Sequence, residues 1–269
     1  MQAAFEKKKT RVLYAEFALA MRPAEKQPAT LSQSAVRTID LEKPMPPLHS
    51  LLTIALITKN EERVLAQCLD SVKDLGCDIV IIDSGSCDNT VAIARQYGAE
   101  VPFMRPEHLA EDTTATEPVI EHAIDFYTGE GWAPDAVMLL QATSPVRLPG
   151  TLACAVRQFA ENGKDSLVGV IPIGPFIWRW HPDAEPTAEF EIMARPRRQE
   201  LTRETFRYRE NGSLYLTKTH VYTEHHNRLA GYPGGTIDLF TLHEVEGVDI
   251  DAPIDFSVAE HQLAQILES

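Results

Sequence analysis

The sequence predicts an α/β domain with a mostly parallel sheet, and three observations carry that expectation. Continuous apolar runs recur at 51–58, 78–83, 136–140 and 166–171, as strands buried on both faces require. Stretches of helical periodicity separate them. Strand, helix, strand at this pace implies crossover connections, which make neighbouring strands parallel.

Taken in order, residues 1–48 read as a separate piece. Lys7, Lys8, Lys9 and Arg11 form a basic cluster, and 12–21 suits a short amphipathic helix. Pro23, Pro28, Pro44, Pro46 and Pro47 then punctuate a polar stretch. A peripheral arm or linker is expected there, with a packed extra strand as the alternative. Removing residues 1–45 is then expected to leave cooperative unfolding intact.

The domain proper is expected over 49–269. After the strand at 51–58, Asn60 precedes Glu61 and Glu62 and an apolar helical stripe of Val64, Leu65, Cys68, Leu69 and Val72. The strand at 78–83 turns through Ser84-Gly85-Ser86 into a helix over 89–97 that ends at Gly98. A short strand is expected at 100–103, a helix at 116–127 and a buried strand at 136–140. Ligands bind at the carboxyl ends of such strands, which marks 58–62, 83–88 and Gln141-Ala142-Thr143-Ser144-Pro145-Val146-Arg147 as rim loops. A helix at 150–162 and a strand at 166–171 continue the alternation.

The pattern breaks at 172–210, where Phe176, Ile177, Trp178 and Trp180 show no periodicity. An inserted arm with a partner-facing apolar surface is expected. Strands resume at 211–216 and 237–242. The chain then reaches an acidic turn, Gly247-Val248-Asp249-Ile250-Asp251-Ala252-Pro253. A short strand there would place Asp249 and Asp251 on one face, and Asp255 would cap a helix over 256–267. Paired carboxylates repel unless a cation lies between them, and hard oxygen ligands suit Mg²⁺. A solvated acidic turn is the equal alternative.

Composition narrows the classes. The net charge of −14 argues against a general nucleic-acid binder. The four cysteines have no metal-ligand spacing, so reduced thiols are expected. No apolar run reaches the ~18 residues of a membrane span, and no signal-peptide pattern opens the chain, so no membrane partner and a cytoplasmic protein are expected.

Several segments together carry a resemblance. They are Gly98-Ala99-Glu100-Val101-Pro102-Phe103-Met104-Arg105-Pro106, Asp112-Thr113, Leu139 to Arg147, Arg198-Gln199-Glu200-Leu201, Asn211-Gly212-Ser213-Leu214-Tyr215 and Val248-Asp249-Ile250-Asp251. In order and spacing this part resembles the N-acylneuraminate cytidylyltransferases, or CMP-sialic acid synthetases. The resemblance implies a three-layer, nucleotide-diphospho-sugar-transferase-like (Rossmann-like) fold with a dimerisation arm at 172–210. It implies a homodimer that joins CTP to a nonulosonic, sialic-type acid and releases pyrophosphate with Mg²⁺. It assigns Asp249 and Asp251 to the metal and puts Arg105, Thr114 and Thr116 in the loop approaching the nucleotide. Gln141, Arg198 and Tyr215 fall where the sugar acid is held, with Asn211 among the substrate-binding positions. Asp249, Asp251 and Arg198 are the catalytic residues the resemblance implies, Arg198 acting near the partner's pocket.

Before Gly98 the likeness changes. The family's Ala-Arg-x-Gly-Ser-Lys loop, which cradles the triphosphate, does not follow 51–58. Instead Ile57-Thr58-Lys59-Asn60-Glu61-Glu62 and Ile82-Asp83-Ser84-Gly85-Ser86-Cys87-Asp88-Asn89-Thr90 resemble inverting glycosyltransferases of the lipopolysaccharide-core type. The metal-binding Asp-x-Asp of those enzymes is absent, because Gln141-Ala142-Thr143 follows Leu140. Three readings stay open: a cytidylyltransferase, a glycosyltransferase using a sugar nucleotide, and a non-catalytic relative.

Overall fold

The computed structural model describes residues 12–15, 52–63, 65–72, 78–111, 113–141 and 143–268. Seven strands form one sheet in the order β3-β2-β1-β4-β8-β5-β9: β1 Val12–Ala15, β2 Leu52–Thr58, β3 Asp78–Asp83, β4 Ala136–Leu139, β5 Ser166–Ile173, β8 Arg207–Lys218 and β9 Ile237–Thr241. β1 pairs in parallel with β2 and β4, β2 with β3, and β5 with β9. Only β8 runs antiparallel to its neighbours β4 and β5. The mostly parallel sheet expected from the sequence is therefore present.

Alternation along the strands builds two cores. Ile54, Leu56, Ile81, Met138 and Leu140 face one side, with Leu65 and Leu69 of α1 (Leu65–Val72), Ala94 of α2 (Thr90–Gln96) and Phe159 of α4 (Thr151–Asn162). Ala55, Val80, Ile82, Val137 and Leu139 face the other, with Ile120 and Ile124 of α3 (Thr116–Gly129) and Tyr222 of α5 (Thr219–His225). Side chains on successive strand residues point to opposite faces, so a run apolar at every position must be covered twice. The result is three layers.

One departure from expectation lies in the middle of the sheet. Within the segment expected to be peripheral, Val12–Ala15 forms β1, with Tyr14 in register with Ile54 on one side and Met138 on the other. The alternative of a packed extra strand describes these four residues; 1–11 and 16–48 lie outside the described residues. A four-residue apolar run is too short for periodicity to separate helix from strand, and its neighbours in the sheet decide. The strand expected at 100–103 reduces to two parallel bridges, Val80 to Glu100 and Asp83 to Met104.

The insertion forms a two-stranded hairpin, β6 (Trp178–His181) with β7 (Ala184–Ala188). At its base the Arg195 guanidinium lies 4.1 Å from the Phe176 ring centroid, and Phe190 packs edge-on against Phe176 and Trp178. Glu189 accepts from Arg179 at 3.0 Å and Arg207 at 3.2 Å, which ties the hairpin to the start of β8. The last helix, α6, spans Pro253–Glu268. No helix among the described residues is long and apolar enough to cross a membrane.

Candidate functional site

The carboxyl end of β4 opens into the loop 140–147, and the neighbouring strand reaches over to it. Opposite Gly169 of β5, which lies between the pairs Val168 to Tyr215 and Val170 to Glu210, β8 carries Asn211, Gly212, Ser213 and Leu214. This bulge leaves the ladder and turns its backbone toward the rim. Gly212 has φ +77°, a left-handed conformation that glycine adopts without penalty. A Cβ there would come 2.1 Å from Gln141 Oε1, so the bare backbone is what admits the Gln141 side chain. The Gln141 amide donates to the Gly212 carbonyl at 3.3 Å, and an Arg147 Nη donates to the Ser213 carbonyl at 3.1 Å.

The acidic turn joins the same place. The Ile250 amide donates to the Thr143 carbonyl at 2.8 Å. The buried Ser144 hydroxyl lies 2.6 Å from the Asn211 carbonyl and 3.3 Å from Asp249 Oδ1. One side chain therefore touches both the bulge and the first of the two aspartates. The residues 248–251 are not a strand: a 3-10 turn (Glu244–Gly247) precedes them and a bend follows. The Ile250 amide reaches the rim loop and the Asp251 amide turns to the Asp255 carboxylate, so no ladder forms. Asp249 is half-buried and Asp251 exposed.

Asp255 also differs from expectation. It sits in the first turn of α6 and reaches back to accept from the amides of Asp251 at 3.1 Å and Ala252 at 2.8 Å. Pro253, with φ already fixed for a helix, starts α6 three residues earlier than the sequence suggests. Capping thus belongs to Asp255, which leaves the carboxylates of Asp249 and Asp251 for another role.

Among the described residues no group of three His, Cys, Asp or Glu side chains is placed to hold a metal ion. Two carboxylates on one turn still fit Mg²⁺, which usually takes one or two carboxylates and completes its shell with water and substrate phosphate oxygens.

The other expected site residues divide into three groups. Gln141 stands at the rim beside the bulge. Asn211 is buried, and its side chain donates to the Glu246 carbonyl at 3.0 Å and accepts from the Ser213 amide at 3.3 Å. It shapes the bulge rather than presenting a group to a ligand. Tyr215 is buried and donates to Glu210 at 2.5 Å, under the Arg228 guanidinium. Burial and then the Glu210 carboxylate push its phenol well above the usual tyrosine range, so it stays a neutral donor.

Arg105 lies at the end of β3, beyond β2 and β1 from the rim loop, whereas Thr116 opens α3, whose next residue Glu117 pairs with Arg228 over the Tyr215 ring. The Arg105 amide donates to the Asp83 carbonyl at 2.7 Å, and the Thr114 hydroxyl donates to the His108 carbonyl at 3.2 Å. Three strand spacings separate β3 from β4, roughly 14 Å. A nucleotide joining Arg105 to the acidic turn would lie across the rim. Arg198 is in a 3-10 turn (Arg198–Glu200) ahead of β8, and its side chain is outside the described ones.

The loops after β2 and β3 are woven into each other. Asp83 accepts from the amides of Gly85 at 3.0 Å and Ser86 at 2.9 Å, and from the hydroxyls of Ser86 at 2.6 Å and Thr58 at 3.4 Å. Asn60, at φ 58°, accepts from the Cys87 amide at 2.9 Å, and Glu62 accepts from the Asn89 amide at 3.1 Å and side chain at 2.9 Å. Most polar groups that the sequence offered as nucleotide ligands here satisfy one another.

Two residues central to this geometry carry little signal in the sequence. Gly212 stands in the sequence inside the Asn211-Gly212-Ser213 motif, with no sign that its missing Cβ makes room for Gln141, and Glu246 stands unmarked in the run Glu244-Val245-Glu246. Burial marks Glu246, and burial is a tertiary property.

Residues 53–126 match the glycosyl transferase family 2 model, which takes in the interwoven loops and ends within α3. Curated relatives are found among nonulosonic acid enzymes as well. The CMP-N,N'-diacetyllegionaminic acid synthase of Legionella pneumophila is 32% identical over 190 residues, 68% of this chain and 77% of that protein. Post-translational flagellin modification protein B of Campylobacter coli is 24% identical over 209 residues, 75% of this chain and 84% of that protein. A pseudaminic acid cytidylyltransferase of Campylobacter jejuni is 25% identical over 99 residues, 37% of this chain and 43% of that protein. With the rim loop, the Asn-Gly-Ser bulge and the acidic turn assembled at one end of the sheet, and a relative this similar over most of both chains, the chain belongs to the CMP-nonulosonic acid synthetase family.

Proposed function

We propose that this protein is a cytidylyltransferase that activates a nonulosonic acid with CTP. The observation that carries the reading is the junction of the Asp249–Asp251 turn with the rim loop, through Ser144 and the Ile250 amide. In this reaction the anomeric hydroxyl oxygen of the sugar acid bonds to the α-phosphorus of CTP. The bond to the pyrophosphate oxygen breaks, and the hydroxyl proton is released. Such a transfer depends on positioning and on neutralising charge.

Asp249 and Asp251 would hold Mg²⁺, which supplies charge neutralisation at the phosphates when bound. Gln141, beside the bare backbone of Gly212, orients the sugar acid. Arg105, at the end of β3, supports the nucleotide. No glycine occurs between Ala15 and Leu52, so the sequence after β1 carries no counterpart of the family's glycine-bearing phosphate motif. More of the charge neutralisation then falls to the acidic turn and its ion. Incubation with CTP, Mg²⁺ and a panel of nonulosonic acids is expected to release pyrophosphate only when all three are present. Absence of release with every acid tested would remove the reading.

The hairpin arm supports a homodimer under the same reading. Trp180 is 75% exposed and Met193 92%, with Trp178 and Ile192 more than half exposed beside them. A second copy covering this surface brings Arg198 toward its neighbour's pocket. Sedimentation at micromolar concentration is expected to give a dimer that Trp180→Asp converts to monomer; a monomeric wild type contradicts it.

A glycosyltransferase is the second reading, favoured by the match over 53–126. Against it, Asp83 already accepts four hydrogen bonds, and β4 leads into Gln141 rather than an Asp-x-Asp.

A further inference from the structure

Glu246 is only 2% exposed, yet it lies three residues before Asp249. A carboxylate withdrawn from water requires donors in compensation, and it has them. Oε1 accepts from the Leu148 amide at 2.9 Å and the Thr151 hydroxyl at 2.6 Å. Oε2 accepts from the His243 amide at 3.0 Å, closing a capping box around the 3-10 turn. Its own carbonyl accepts from Asn211 Nδ2 at 3.0 Å. Leu148 continues the rim loop, Thr151 opens α4, and Asn211 begins the β8 bulge. One residue therefore ties three segments that meet at the candidate site.

The link from Glu246 to Asp249 has little slack. A Cβ on Gly247 would meet Ile171 of β5 at 3.0 Å, so the backbone there lies flush against the sheet. An Arg209 Nη donates to the Gly247 carbonyl at 3.2 Å. Beyond Asp249, the Ile250 amide is fastened to Thr143. The turn is held at both ends, and Glu246 holds the upstream one.

We propose that Glu246 is a positioning residue: its buried carboxylate fastens the acidic turn to the rim loop and so sets where Asp249 and Asp251 stand relative to Gln141. What that placement serves rests on the cytidylyltransferase reading. Glu246 itself is too buried to touch substrate. Gln in its place keeps the size and one acceptor oxygen but brings an NH₂ group against the remaining donors.

The test compares wild type, Glu246→Gln and Glu246→Ala by amide hydrogen exchange, and by the Mg²⁺ concentration needed for CTP to raise the melting temperature. In Glu246→Gln, exchange at Ile250 is expected to quicken while Leu139 and Leu216 in the sheet keep their protection. The Mg²⁺ midpoint is expected to rise by about tenfold, and further in Glu246→Ala, as for other supports of metal ligands. Unchanged exchange at Ile250 in a folded Glu246→Gln overturns the proposal. So does faster exchange with an unmoved Mg²⁺ midpoint, because the residue would then serve stability alone. If wild type itself shows no Mg²⁺-dependent response to CTP, the cytidylyltransferase reading fails, and the exchange measurement still decides whether Glu246 fastens the turn.

Discussion

Asp251→Asn is expected to abolish the Mg²⁺-dependent stabilisation by CTP and to slow pyrophosphate release by about three orders of magnitude, with Asp249→Asn close behind. Charge stabilisation of several kcal/mol at the transferring phosphoryl group depends on the ion these carboxylates would hold. Folding should survive both changes. Asp251 is exposed, and an Asn at either position keeps the shape while relieving repulsion between two like charges. The neighbouring Asp255 gives the contrast. It accepts from two amides at the start of α6, so Asp255→Ala should cost about 1 kcal/mol of stability without moving the response to Mg²⁺. Thermal melts of the three variants with CTP, with and without Mg²⁺, separate the roles. A wild-type melt indifferent to Mg²⁺, or an Asp251→Asn melt that keeps the response, would sink the metal assignment.

Tyr14→Pro should destabilise the domain by about 3 kcal/mol or more, and removal of residues 1–15 should abolish its cooperative unfolding. Tyr14 is paired with Ile54 and Met138, so its strand has a neighbour on each side. Proline in a central strand removes a ladder hydrogen bond and disturbs the pairing around it. Without β1, the facing edges of β2 and β4 lose their backbone partners in the buried middle of the sheet, where unpaired N–H and C=O groups are costly. Denaturant unfolding followed by circular dichroism reads both effects. A truncated chain that unfolds with the same midpoint and slope as the full one would show that β1 is dispensable.

Much of the architecture was legible along the chain. The runs Leu52–Thr58, Asp78–Asp83, Ala136–Leu139 and Ser166–Ile173 are apolar at nearly every position, and only a sheet covered on both faces needs that. Helices α2, α3 and α4 fall within a few residues of expectation because capping glycines and helical stripes bound them. The loop at Gln141 is legible as the carboxyl end of a buried strand, whereas Asn211 and Asp249 join it only through the family resemblance. The aperiodic aromatics of the insertion likewise announced a segment outside the sheet.

What the sequence alone determined, then, is the layer plan and the membership of the rim, because burial periodicity and glycine conformation are local properties written residue by residue. Long-range pairing decided the rest. Val12–Ala15 takes its place only because β2 and β4 offer it two edges, and nothing within four residues encodes that. The acidic turn is not a strand because its backbone ties go to Thr143, more than a hundred residues earlier, and to the Asp255 side chain rather than to a neighbouring strand. Asn211 and Tyr215 look like ligand groups in the sequence, but the fold turns them on Glu246 and Glu210. Glu246 is an unremarkable acidic residue until the rim loop, α4 and the β8 bulge close around it. A hydrogen-bonding group must satisfy whatever it is buried against, and only the tertiary structure says what that is.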